Sequence, residues 1–284
     1  MDMLKQLRME LKKIADSKKA QVLQRFFKTG KGEYGEEDIF LGITVPISRK
    51  IANKYRDLDF AGIEELLHSG IHEERLIALL ILVHNFNRGN KNIRERIYKF
   101  YLGNTKYINN WDLVDLSADK IVGEYLLNDK KLFVRQPRIS DDARQISNLP
   151  LSNSASLSKI RHPSEQKPNF NSSESGLPHM SNALLNLAKS ESIWERRIAV
   201  LATFQFIKNN QFDNSLEIAK MLLGDKHDLV HKAVGWMLRE MGKRDLEIEI
   251  EFLNKHSQEM PRTMLRYAIE KFPQKLRISY LKKK

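Results

Sequence analysis

The stretch Glu195-Arg196-Arg197-Ile198-Ala199-Val200-Leu201 resembles Glu73-Glu74-Arg75-Leu76-Ile77-Ala78-Leu79 position for position. In both stretches charged residues lead into apolar residues three and four positions apart, the spacing of one buried helical face. An internal repeat of this kind is typical of stacked helical units, each of which buries its apolar face against the next. The sequence therefore predicts a helical repeat architecture rather than one closed bundle.

The same frame recurs along the chain at nearly constant spacing. Trp111 follows Arg75 by 36 residues, Lys232 follows Arg197 by 35, and Arg266 follows Lys232 by 34. A unit of this length holds one antiparallel helix pair, as in HEAT-like repeats. We therefore expect an all-α fold, an alpha-solenoid of HEAT-like repeats that forms a curved, basic concave groove.

Apolar residues three and four apart predict helices through most of the chain, and no stretch alternates well enough to predict a strand. The predicted helical blocks are 3–28, 46–56, 60–68, 72–86, 91–102, 111–127, 183–188, 193–208, 213–223, 227–242, 246–255 and 261–272.

One segment, 134–182, breaks the helical pattern. It holds five of the eight prolines and is rich in serine and asparagine. Such a composition buries too little apolar surface to offset the cost of ordering. We predict N-terminal repeats over 1–133, a flexible insertion over 134–182 and C-terminal repeats over 183–284, which continue the same solenoid. The insertion could be a passive loop or a flap that brings cations to the partner.

The charge balance favours a polyanionic partner. Lys and Arg number 48 against 36 Asp and Glu, a formal net charge of +12 over 284 residues. Because stacked units present the same position on one concave face, the basic residues Arg196, Arg197, Lys232 and Arg266 predict a surface for the backbone of a nucleic acid duplex.

The composition also excludes several classes of protein and site. The chain has no cysteine, which removes disulfides and thiolate chemistry and is compatible with a reducing compartment, so we expect a cytoplasmic protein. The first turns carry charges unlike a secretory signal, and no apolar run is long enough for a membrane helix. The pairs His68/His72 and His227/His231 lack the glutamate of a HExxH motif, so we predict no metal site. There is also no phosphate loop, GxGxxG motif or GxSxG elbow, and we expect no cofactor.

Trp111 and Asp115 stand four residues apart, which places them on one face of a helix. The face of an indole ring and a carboxylate both attract positive charge. The pair therefore predicts a site that holds a cationic group. A boundary role for Asp115, paired with a neighbouring basic helix, is the alternative, and Asp112 fits a charge near the helix start better than the site.

Three motifs resemble those of the AlkD-type DNA alkylation repair glycosylases. They are Asn110-Trp111-Asp112-Leu113-Val114-Asp115, Ile193-Trp194-Glu195-Arg196-Arg197-Ile198-Ala199 and Lys232-Ala233-Val234-Gly235-Trp236-Met237-Leu238-Arg239-Glu240. The resemblance spans nearly the whole chain except the insertion. It implies a HEAT-like solenoid that removes N3- or N7-alkylated purines from double-stranded DNA without flipping the base, as a step of base excision repair.

The resemblance also implies site residues: Asp115, Trp111 and Trp236 in catalysis, with Arg197 and Arg239 at the cleft and on phosphates. An alkylated purine already carries positive charge and leaves readily, so a strong general acid is unnecessary. Asp115 would stabilise the cationic sugar and orient water, while the two tryptophans bracket it. Trp194 is expected in the core, and Gly235 predicts a close approach by another helix or DNA.

The chain departs from the family pattern at Leu41, where an aromatic residue is expected, and at Gln205, where a basic one is expected. We therefore expect some DNA contacts to be weaker or differently placed. No lysine near Trp111 or Trp236 is an evident Schiff-base nucleophile, so we predict a monofunctional hydrolase. We also expect a monomer, because a solenoid of this length needs no partner to close its core. The alternative is a non-catalytic HEAT-repeat scaffold that binds DNA or protein.

Overall fold

The computed structural model describes residues 2–128 and 181–282, and within these ranges the chain is helical and contains no strand. The helices are α1 (Met3–Ile14), α2 (Ser17–Phe26), α3 (Val45–Lys54), α4 (Phe60–Leu67), α5 (His72–Arg88), α6 (Lys91–Gly103), α7 (Trp111–Asp115), α8 (Glu124–Asn128), α9 (Asn182–Lys189), α10 (Ile193–Lys208), α11 (Asp213–Met221), α12 (Asp228–Gly242), α13 (Leu246–His256), α14 (Arg262–Ala268) and α15 (Gln274–Lys282).

The helices form successive pairs whose second members pack against one another. These pairs are α4–α5, α6 with the segment 111–128, α9–α10 and α11–α12, after which α13 and α14 both pack on α12. The segment 111–128 packs between α5 and α10, α10 packs on α12, and α12 packs on α14. The predicted all-α solenoid of helical repeats is confirmed.

Side-chain caps set many of the helix starts. Asp59, Asn90 and Ser192 each accept a hydrogen bond from the backbone N–H three residues later, which satisfies a donor that the helix itself cannot pair. The block predicted over 3–28 is two helices, because Asp16 caps a new helix by accepting from Lys18 and Lys19. Helix α15 was not predicted.

The block predicted over 111–127 is also interrupted. Five-residue α7 ends at Asp115, and Asp119–Gly123 is a π-helical turn before α8. Gly123 lies against the backbone of α10, so that a side chain there would collide with the carbonyl of Ala202. The turn at Leu116 and Ser117 separates α7, which packs between α5 and α10, from the π-helical turn that follows.

Two local predictions are confirmed in the C-terminal repeats. Trp194 is 9% exposed and belongs to the core. A Cβ atom on Gly235 would lie 2.6 Å from Cβ of Tyr267, so α14 makes the predicted close approach at this glycine. The predicted insertion lies outside the described residues except for its last two, of which Ser181 caps α9 and Asn182 begins it. Within the ranges 2–128 and 181–282, every helix is too short or too polar to span a membrane.

Candidate functional site

Asp115 and Arg197 form an ion pair between α7 and α10. Nε of Arg197 donates to Oδ1 of Asp115 at 2.9 Å, and Nη2 donates to Oδ2 at 2.8 Å. The two parallel bonds fix the plane of the carboxylate as well as its position. The structure therefore brings together two of the predicted site residues that are 82 positions apart in sequence.

The two side chains of this pair differ in exposure. The Arg197 side chain is 6% exposed and the Asp115 side chain 15%, and Nη1 of Arg197 donates to the carbonyl of Leu229. Arg197 is thus held within the protein, in contrast to the phosphate contact expected of it. Burial raises the pKa of the Asp115 carboxyl above its ordinary value, and the charge of Arg197 opposes that rise.

Asp115 borders an apolar cavity of about 370 Å³ beside α7. The cavity is lined by Leu23, Phe26, Phe27, Phe40, Ile43, Thr44, Val45, His72, Glu73, Leu76, Trp111, Asp112, Asp115 and Leu116. Helix α2, which has no buried residue, supplies one wall. The cavity therefore joins an aromatic surface to the oriented carboxylate, and both Trp111 and Asp115 face it.

Stacked rings build one side of the cavity. Trp111 stacks on Phe27 at 5.1 Å between centroids, Phe27 stacks on Phe40 at 4.9 Å, and Phe40 stacks on His72 at 4.4 Å. Phe26 meets Trp111 edge-on at 5.9 Å and is 61% exposed. The stack fixes the plane of the Trp111 indole, because each ring restricts the next.

A buried ionic cluster lies under α7. His72 contacts Asp38 and Asp112, each at 2.9 Å, and Asp38 also accepts from Asn110 at 2.9 Å and from Arg75. Burial disfavours the charged form of Asp38, yet the hydrogen bond from His72 and the charge of Arg75 hold the pKa of that carboxyl below its usual range. Asp112 is thus a partner of His72, whereas Asn110 caps α7 by accepting from the backbone of Trp111.

Trp236 lies in α12 and does not line this cavity. Its indole Nε1 donates to Glu240 at 3.1 Å, and its ring lies 6.1 Å from that of Phe204 in α10. The side chain is half-buried. The structure therefore does not bring Trp236 against Trp111, and its catalytic role stays a prediction.

Most of the predicted DNA-binding cations have partners within the protein. Arg196 pairs with Asp225 at 2.6 Å and Lys232 with Asp228 at 2.6 Å, while Arg239 pairs with Glu270. Arg266 is exposed. Arg196 also donates to two backbone carbonyls before α10, so its guanidinium secures the start of that helix.

A second cavity, of about 280 Å³, shares Leu116 with the first. It is lined by Arg49, Ala52, Asn53, Leu80, Val83, His84, Leu116 and Lys120, a basic set without an acidic member. Sequence reasoning missed Arg49 and Lys120 because neither occupies the repeated position. In the sequence, only the net positive charge of the whole chain pointed to Arg49 on α3.

The comparisons with known proteins agree with the motifs. The model of the family described as DNA alkylation repair enzyme matches residues 7–142 and 169–272. A solved structure described as a predicted DNA alkylation repair enzyme from Enterococcus faecalis is similar with a TM-score of 0.59, over 92% of this chain and 97% of that one. The identity is 14%, so this likeness concerns the fold alone. No curated protein matches the chain.

The family match covers most of the chain, including α7, α10 and α12. The helical repeat fold and the motifs around Asp115 and Arg197 agree with this match. The chain therefore belongs to the DNA alkylation repair enzyme family, and its substrate is DNA.

Proposed function

We propose that this protein is a monofunctional DNA glycosylase that hydrolyses the N-glycosidic bond of cationic N3- or N7-alkylated purines in double-stranded DNA. The observation that carries the proposal is Asp115, a carboxylate oriented by two bonds from Arg197 at the edge of an aromatic cavity. Such a group suits this reaction, because positive charge develops on the sugar as the bond breaks. The alkylated purine that leaves already carries a positive charge of its own.

The chemistry follows from the charge of the substrate. As the glycosidic bond lengthens, electrons move to the purine and positive charge moves to the deoxyribose. A fixed carboxylate stabilises that charge without reorganising, and it can also orient the water that attacks the sugar carbon. Trp111 adds the attraction of its ring face for a cation, about 0.5–2 kcal/mol.

The hydrogen bonding of the cavity favours a mechanism without base flipping. An enzyme that accepts a flipped base reads its edge with free polar groups. Here Glu73 accepts from the backbone N–H groups of residues 41–43, and His72 and Asp112 bind one another. The acidic and imidazole groups of this cavity are thus already engaged by the protein.

The other features of the proposal also have support. No lysine stands among the described residues that line the aromatic cavity, which favours hydrolysis over a Schiff-base lyase step. The basic cavity adjoins the site, and its exposed Arg49 offers a cation to the phosphate backbone, whereas Lys120 is already bonded to Asp119 at 3.1 Å. We also propose that the protein acts as a monomer, because stacked repeats bury their apolar faces against one another and need no second chain to close the core.

The test is release of free 3-methyladenine and 7-methylguanine from methylated duplex DNA by the wild type and by Asp115→Asn. We expect the variant to lose about 100- to 1000-fold in single-turnover rate and to keep its affinity for the same DNA. Asp119→Asn is the matched control, because Asp119 lies one turn along and pairs with Lys208 at 3.0 Å. Tight binding without excision by the wild type would instead place the chain among DNA-binding scaffolds.

A further inference from the structure

His72 is a buried, ionisable side chain beside the proposed site. It is 2% exposed, and its Nδ1 and Nε2 atoms each lie 2.9 Å from a carboxylate oxygen, of Asp38 and Asp112 respectively. A neutral imidazole carries one N–H group, whereas an imidazolium carries two. Both contacts are hydrogen bonds only when the ring is charged.

The surrounding charges stabilise that imidazolium. Burial alone lowers the pKa of His72, but Asp112 and Asp38 outweigh it and raise the pKa to about 9. Arg75 also binds Asp38, so two cations balance two carboxylates in the cluster. The neighbouring Glu73 faces the backbone of residues 41–43 and is occupied there.

His72 is linked to the catalytic segment by two routes. Its bond to Asp112 holds α7, the five-residue helix that begins at Trp111 and ends at Asp115. Its ring begins the stack that runs through Phe40 and Phe27 to the Trp111 indole. A helix of five residues has little stability of its own, so these contacts determine where its two functional side chains lie.

We propose that His72 is a positioning residue for the glycosylase site, and that its imidazolium, clamped between Asp38 and Asp112, sets the placement of Trp111 and Asp115. The inference rests on the proposed function, and His72 itself contacts neither DNA nor the reacting atoms in this role. Loss of the ring proton turns one N–H···O contact into a repulsion between lone pairs, which releases α7. Activity then falls as the pH rises through about 9.

The first test compares His72→Gln with His68→Gln in single-turnover excision of 7-methylguanine between pH 6.5 and 9.5. His68 is the matched control, because it is bonded to Asn104 at 2.6 Å and stacked on Tyr107, away from α7. We expect His72→Gln to lose about 10- to 100-fold at pH 7 with duplex affinity retained, and to lose the alkaline decline. Wild-type rate and pH profile in a folded His72→Gln variant would overturn the proposal.

Rescue separates positioning from general damage. The double variant His72→Gln/Asp112→Asn replaces the ion pair by an amide pair, which can restore one neutral hydrogen bond. We expect it to recover part of the rate at pH 7 and to show no alkaline decline. A double variant no faster than His72→Gln at pH 7 would argue against a tether through Asp112.

A second readout does not depend on excision. Trp111 becomes the single tryptophan in a Trp194→Phe/Trp236→Phe background, and its fluorescence reports its stacking. We expect a single transition near pH 9 that disappears when His72→Gln is added. If the wild type excises nothing, the proposed function fails while this transition still supports the tether. If His72→Gln does not fold, the test rests on the single-tryptophan protein that keeps His72. A Trp111 fluorescence that does not change with pH in that protein would overturn the inference.

Discussion

In both copies of the repeated stretch an arginine binds a carboxylate, but the two ion pairs differ in their exposure. Arg75 in α5 and Arg197 in α10 each bind a carboxylate that another segment supplies, Asp38 and Asp115. The Arg75 and Asp38 side chains are 5% and 4% exposed, so that pair is sealed inside the protein. Asp115 is 15% exposed and borders the aromatic cavity. The repeat thus provides an arginine that orients a carboxylate, and the local opening beside α7 makes one of the two available for chemistry.

The largest effect is expected at the sealed pair, on stability. Arg75→Met leaves Asp38 buried beside one fewer cation, and removing one partner of a buried pair costs about 3–5 kcal/mol. Urea unfolding measures the loss. Arg88→Met, at the exposed end of the same helix, is the control and should stay within about 0.5 kcal/mol of the wild type. A loss at Arg75 as small as that at Arg88 would show that the cluster is not the sealed element described.

The open pair should respond mainly in activity. Arg197→Met removes both bonds that orient Asp115 and leaves its carboxyl partly buried, which raises its pKa further. We expect about a 100-fold loss of single-turnover rate at pH 7, with the residual rate rising with pH as the carboxyl ionises. Arg197→Lys keeps the charge but not the two-bond geometry and should be intermediate. Full activity in Arg197→Met would show that orientation by this arginine is not required.

Glu249 extends the comparison to a buried carboxyl without such a partner. It is 2% exposed, its Oε1 atom has no hydrogen-bond partner, and burial raises its pKa to about 8. The folded protein therefore holds a proton that the unfolded chain releases near pH 4.5. The resulting stability is fully present below that pH and is lost as the pH rises through about 8.

Replacing this carboxyl by an amide should remove that dependence. We expect Glu249→Gln to match the wild type near pH 4.5 and to be more stable by about 4 kcal/mol at pH 8.5. Unfolding in urea across this pH range measures the difference. Parallel pH profiles for the two proteins would mean that Glu249 is ionised, like the arginine-bound carboxylates.

Much of the architecture could be predicted because it is local or periodic. The spacing of the repeat gave the helical pairs, and α10 begins and ends where its apolar periodicity does. Breaks inside the blocks were missed because they depend on contacts between elements, such as Gly123 against α10. In the same way, the Asp119–Gly123 turn leaves no mark in the spacing of apolar residues.

The site was predicted in part for a related reason. Residue types and a family resemblance indicated Asp115, Trp111 and Arg197. The partners of His72 lie 34 and 40 positions away in sequence, at Asp38 and Asp112, and no periodicity connects them. The charges meet only because α5 packs against both α7 and the segment between α2 and α3 that carries Asp38. The sequence therefore offered His72 merely as one member of a histidine pair.

The smallest expected effect concerns the difference between an exposed cation and arginines that are bound to carboxylates. Arg49 is exposed and lines the basic cavity beside the site, whereas Arg75 and Arg197 are bound to carboxylates. Arg49→Ala should weaken duplex binding several-fold and lower the slope of log affinity against log salt by about 1, the value for one phosphate contact. Arg266→Ala tests the predicted contact at the far end of the solenoid in the same titration.

The two slopes together locate the DNA along the repeats. If both variants lose about 1 from the slope, the duplex spans from α3 to α14, and the repeated basic frame is part of the binding surface. If only Arg49→Ala changes it, the DNA is held beside the open carboxylate, and Arg266 is a solvated charge. A loss at Arg266 alone would separate the binding surface from Asp115 and would break the link between the opened repeat and the chemistry. We expect both variants to fold with their cores intact, since each side chain is exposed, so a change in slope would report the interface itself.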